Sequence, residues 1–148
     1  MEKIRLYTIG FAKKGARSFF EKLREKKVKR IIDIRLNNTS QLAGFAKSDD
    51  LRYFLEMING LDYIHLPEWA PTRDIFDRFK KNKGDWTEYE RDFLALISQR
   101  KIEEDLSPEM LNGACLLCSE DRPDHCHRRL IAEYLQEKLG NVEIIHLV

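Results

Sequence analysis

Five short apolar runs, at residues 4–9, 30–35, 62–66, 114–118 and 142–148, alternate with stretches of helical periodicity, and this alternation limits the chain to few architectures. Ile31 and Ile32 stand side by side within the second run, a pattern that calls for burial on both faces of a sheet. Between the first two runs, Phe19, Phe20 and Leu23 form an apolar stripe. Ser18 and Glu21 have capping-box spacing, which predicts a helix from Ser18 to about Lys27. Residues 36–48 lack periodicity and read as a loop. Leu51, Phe54, Leu55 and Ile58 then recur at helical spacing, closed by Asn59-Gly60. Pro71-Thr72 opens a short helix carrying Ile75, Phe76 and Phe79, and Asp85 heads a longer one with Trp86, Tyr89, Phe93 and Ile97 on its buried side. Pro108 suits the first position of a helical turn, and a last helix is expected over 124–139, stopped by Gly140. Strands separated by helices in this way predict one α/β domain over residues 1–148. Its sheet should be mostly parallel, with about five strands flanked by helices on both faces. The pattern is silent on strand order.

Composition sharpens this by exclusion. The 148 residues are 43% hydrophobic and 34% charged, with 4 Pro and 7 Gly, which argues against disorder and collagen-like sequence. No apolar run approaches the roughly 20 residues that cross a bilayer, and the N-terminus lacks the apolar region of a signal peptide, so a cytoplasmic protein is expected. The formal charge of +1 names no partner. The three cysteines are too few for a secreted disulfide scaffold.

In open α/β sheets ligands bind beyond the carboxyl ends of the strands. The expected strands carry their chemistry at those ends: Thr8 and Gly10, Asp33 and Arg35, His65 with Glu68 just beyond, and Cys118, Ser119 and Glu120. Cys126, His127 and Arg128 follow at the start of the last helix, where free amides and a partial positive charge favour anions and lower a thiol's pKa. The candidate catalytic set is therefore Cys118, Cys126, His127, His65, Asp33 and Glu120; the candidate substrate-binding set is Arg35, Arg128, Thr8 and Glu68.

Blander readings compete with each of these. Cys115 reads as core packing, while Cys118 and Cys126 are open to packing, to a disulfide, to zinc ligation with His127, or to a reactive thiol. The spacing Cys-x7-Cys-His matches none of the common zinc patterns, and no metal site or cofactor is assigned. Asp33 and Arg35, two apart on a strand, share a face and could order the following loop as an ion pair. Arg129 is aligned with Glu133 for a surface pair, and Trp69 is placed in a loop where it could stack on a base. The segment from Gly10 to Ser18 lacks the Lys-Ser/Thr ending of a phosphate loop, and Cys118 lies too far from Arg128 for a cysteine-phosphatase loop.

Tyr7-Thr8-Ile9-Gly10, Ile32-Asp33-Ile34-Arg35, Tyr63 to Glu68, and Leu116 to Glu120 running on to Cys126-His127-Arg128 occur in one order along the chain. In that order the sequence resembles the domain-of-unknown-function 488 family. The resemblance implies a compact α/β domain and supplies no activity. It also marks a departure: many members have Gly-His-Ser after the first strand, where this chain has Gly10-Phe11-Ala12. The expectation from the residues is an enzyme acting on a phosphate-bearing or otherwise anionic substrate, a nucleotide or nucleic acid included, through a Cys/His/Arg site. The alternatives are a non-catalytic nucleic-acid-binding module, using Lys22 to Arg30 with Arg78, Lys80 and Lys81, and a metal-stabilised interaction protein.

Overall fold

Five parallel strands in the order β3-β2-β4-β1-β5 organise the chain, as a computed structural model shows for residues 3–12, 14–36, 47–80, 84–119, 123 and 126–148. The strands are β1 (Ile4–Gly10), β2 (Arg30–Asp33), β3 (Asp62–His65), β4 (Ala114–Cys118) and β5 (Val142–Leu147). They fall within two residues of the apolar runs that predict them. β2 stops at Asp33 instead of reaching Arg35.

Two helical layers cover the sheet. On one face, α1 (Ala16–Glu25) and α2 (Ser48–Phe54) pack Phe19, Phe20, Leu23 and Leu51 against Tyr7, Ile9, Ile31, Cys115 and Leu117. On the other, α3 (Arg73–Lys80), α4 (Trp86–Arg100) and α6 (His127–Leu139) bring Ile75, Phe93, Ile97, Leu130 and Leu135 against Leu6, Ile32, Ile34, Leu116 and Cys118. The short α5 (Pro108–Leu111) precedes β4. Burial on both sides explains the continuous apolar runs of β2 and β4.

Helix boundaries follow local chemistry in part; Asp85 stands at the N-cap of α4 but makes no side-chain capping bond. Ser107 Oγ accepts from the amide of Met110 at 3.2 Å and opens α5, as Pro108 leads one to expect. α2 runs on into one π-helical turn and stops at Gly60, whose φ of +68° is open to glycine at little steric cost. The capping box at Ser18 does not form. α1 begins two residues earlier, at Ala16 behind Gly15, because Phe19, Phe20 and Leu23 bury equally well from that start.

Tyr134 on α6 donates to Glu103 Oε1 at 2.6 Å and ties the last helix to the turn after α4. This bond, more than any other influence, holds the Glu103 carboxyl below its ordinary value, while burial and the same bond push the Tyr134 phenol up to about 12. Tyr134→Phe is expected to cost about 1 kcal/mol near neutral pH. A lowered carboxyl pKa contributes stability above its unfolded value and loses it as pH falls through the folded value. Urea titrations should therefore show the difference between wild type and variant shrinking on acidification below about 4.5.

Candidate functional site

The strand order places β4 between β2 and β1. β1 and β2 lead into α1 and α2 on one face, and β4 leads into α6 on the other. Loops therefore part company at the carboxyl end of β4, the kind of crevice where open α/β sheets bind ligands. The amide of Ala12 bonds the carbonyl of Ser119 at 3.0 Å across this point, beyond the register pair Gly10 and Cys118.

On the α1–α2 face, Asp33 is fully buried and Arg35 is 3% exposed. Asp33 Oδ1 accepts from the Arg35 amide at 3.1 Å and from Nε at 2.8 Å, while Oδ2 accepts from Nη2 at 2.6 Å and from the Tyr63 hydroxyl. The guanidinium also lies 5.4 Å from the centre of the Phe11 ring. Phe11 thus takes the place where the family resemblance led to a histidine. Arg35 Nη1 is buried with no hydrogen-bond partner among the described residues. His65, in register with Asp33, sets Nε2 at 2.8 Å from the Arg35 carbonyl. A carbonyl only accepts, so Nε2 carries the hydrogen, and in the neutral ring the lone pair sits on Nδ1.

On the α4–α6 face, Thr8 and Arg128 are fully buried. Arg128 Nε donates to Thr8 Oγ1 at 3.3 Å, and Nη1 donates to Cys118 Sγ at 3.3 Å and Cys126 Sγ at 3.7 Å. Thr8 Oγ1 also pairs with His146 Nδ1 at 2.6 Å. Cys126 is the N-cap residue of α6, and its sulfur meets that of Cys118 in bonding contact, with the two Cα atoms 7.8 Å apart. His127 sets Nε2 at 2.6 Å from the carbonyl of Ile34 and packs edge-on against Phe93. One ligand atom each from Cys118, Cys126 and His127 lie within 4.8 Å of one another. Cys115 points to the opposite layer, and burial pushes its thiol far up, so it stays protonated.

Thr8, Asp33, Arg35, His65, Cys118, Cys126, His127 and Arg128 thus gather at one end of the sheet but on its two faces. Arg35 and Arg128 do not form one clamp. Neighbouring residues along a strand alternate faces, and Arg35 shares a side with Asp33, whereas Arg128 rises from the helix on the other. Glu68 is exposed and outside both groups; its carbonyl accepts from Arg100 at 2.6 Å. Trp69 is core, with no exposure and its indole donating to Asp105 at 2.8 Å, so it cannot stack on a base. Arg129 pairs with Glu90 on α4 at 3.2 Å instead of Glu133, because α4 packs beside it. Arg78, weighed for a nucleic-acid face, is held among Asp74, Glu88 and Asp92 at 3.3, 3.7 and 3.4 Å. Glu120 and most of the loop expected at 36–48 lie outside the described residues. A surface cavity of about 560 Å³ between α1 and α2, lined by Phe20, Phe54 and Ile58, involves none of the candidate residues.

Sequence reasoning missed three members. Tyr63 was findable, since it lies two before His65 and shares its face. Phe11 and His146 were not, because their proximity depends on strand order and register.

The fold and its rim define a single-domain α/β protein with polar groups gathered at the carboxyl edge of a parallel sheet. The family described as a domain of unknown function, DUF488, matches residues 15–135, and the chain belongs to that family. No curated protein and no solved structure matches the chain. Among the described residues, no helix is long and apolar enough to cross a membrane.

Proposed function

We propose that the chain is a small enzyme that binds a phosphate-bearing or otherwise anionic substrate, such as a nucleotide, over the carboxyl end of β4. The observation that carries this reading is Arg35 Nη1, a buried cationic donor at the rim without a partner among the described residues. Buried donors are nearly always satisfied, and one left over on a guanidinium suits an anion oxygen. Arg35 is the anion holder in this scheme, with Nε and Nη2 fixed by Asp33 so that Nη1 is already oriented. Arg128 positions Cys118 and Cys126; once a dithiol reductant has opened the bond between their sulfurs, either thiol serves as nucleophile, while Nδ1 of His65 or His127 takes up its proton. Thr8 anchors Arg128 and does not itself touch substrate. With Arg35 only 3% exposed, binding includes an opening step.

Calorimetric titration with inorganic phosphate, pyrophosphate and nucleoside monophosphates tests the reading. At least one should bind, and affinity should fall by about tenfold or more in Arg35→Lys, which keeps the charge but not the planar fork. Binding by none of them, or equal binding by Arg35→Lys, overturns it. The engagement of Arg78 by three acids leaves the nucleic-acid module with less support.

A further inference from the structure

We infer that Cys118, Cys126 and His127 form, in the reduced protein, a three-ligand site for a thiophilic divalent cation such as Zn²⁺. The inference shares Cys118, Cys126 and His127 with the proposed function and gives them a metal to hold, while the anion holder Arg35 lies on the other face of the sheet and takes no part in it.

Two sulfurs and an imidazole nitrogen within 4.8 Å make a donor set that selects zinc over magnesium or calcium. The backbone spacing agrees. Ordinary disulfides join Cα atoms about 4.4–6.8 Å apart, and here the separation is 7.8 Å. Two thiolates on one tetrahedral ion, each about 2.3 Å from it, sit well apart from each other, which a wider backbone spacing accommodates. Cys118 ends β4 and Cys126 caps α6, so both donors sit on regular elements.

The surroundings have the character of a metal site's outer shell. Metal-bound histidines usually donate their other ring hydrogen to a carboxylate or a backbone carbonyl. His127 does this through Nε2 to the carbonyl of Ile34 at 2.6 Å, which makes Nδ1 the nitrogen with a lone pair for a metal. Arg128 Nη1 reaches both sulfurs, an N–H···S pattern that suits charged thiolates and offsets their negative charge. Three protein ligands leave a fourth position for water or substrate, as in catalytic zinc sites and unlike closed structural ones. Cys115, on the opposite face, takes no part.

The bonded sulfur pair is then the oxidised form of the same site. A dithiol reductant supplies two electrons and two protons, becomes a cyclic disulfide itself, and leaves Cys118 and Cys126 as thiols. Metal binding releases their protons.

The test is Co²⁺ titration of protein reduced with dithiothreitol and desalted under argon. One equivalent should saturate a sulfur-to-cobalt charge-transfer band in the near ultraviolet, with visible bands of tetrahedral strength, and Zn²⁺ should bleach both. Cys126→Ser should abolish the charge-transfer intensity contributed by the pair and Cys118→Ser should do the same, while His127→Asn should weaken binding by about tenfold or more. If Cys118→Ser fails to fold, Cys126→Ser decides, because serine is a good helix cap at that position. Absence of the band in protein whose three thiols titrate as reduced, or an undiminished band in Cys126→Ser, overturns the inference. Neither readout involves an anionic ligand, so failure here leaves the phosphate titrations to be judged separately.

Discussion

Asp33→Asn is expected to destabilise the protein by about 3–5 kcal/mol, because it leaves a buried guanidinium without its counter-charge. Asp33 accepts from the backbone amide, Nε and Nη2 of Arg35 and from the hydroxyl of Tyr63, with no exposure of its own. Asparagine keeps the shape but loses the charge and turns one acceptor into a donor facing other donors. The pair itself contributes less than this penalty implies, since two buried charges each give up hydration to meet. The double variant Asp33→Leu with Arg35→Met should accordingly recover most of the loss in urea unfolding. A single variant within about 1 kcal/mol of wild type would show that the pair is not buried as described, and no recovery in the double would show that its hydrogen bonds outweigh the charge penalty. The same double variant serves the phosphate titrations as a folded protein without the anion holder.

Phe93→Ala should cost about 3–5 kcal/mol as well, through lost burial and an unfilled void. Phe93 has no exposure, stacks on Tyr89 at 6.1 Å between ring centres, and meets the His127 ring edge-on at 5.6 Å. Its removal frees one side of that imidazole. Thermal unfolding should report the lost stability, and the cobalt titration should report a weaker site in whatever fraction remains folded. A fall in stability without any change in cobalt affinity would mean that the carbonyl of Ile34 alone is enough to orient His127.

The sequence showed the elements far better than their arrangement. Every strand lies within two residues of its apolar run, because short apolar runs between helical stripes leave little else for those residues to do. The pairing of Asp33 with Arg35 was legible from their spacing on one strand, and the core role of Cys115 from its place within another. What stayed hidden was the side each group takes. A strand buried on both faces has no polar side, so its alternation does not say which helical layer Cys118 or Arg35 will face. That is why two arginines expected to close on one ligand stand on opposite sides of the sheet. Arg129 found Glu90 over Glu133 for a related reason: tertiary neighbours compete with the next helical turn, and the sequence lists only the latter. Trp69 likewise looked like a loop residue because its turn is short, yet its indole is sealed in by elements distant along the chain.

The strand order carries a consequence for synthesis. β1, built from residues 4–10, bonds to β4 and β5, whose residues come after position 113, and β2 likewise has β4 on its inner side. The middle of the sheet is thus among the last parts to leave the ribosome, and until it does the early strands hold open, unpaired edges. Such long-range closure is slow and exposes sticky intermediates. A nascent chain halted before residue 114 should therefore be digested readily by proteases, and resistance should arrive in a single late step once β4, α6 and β5 have all emerged.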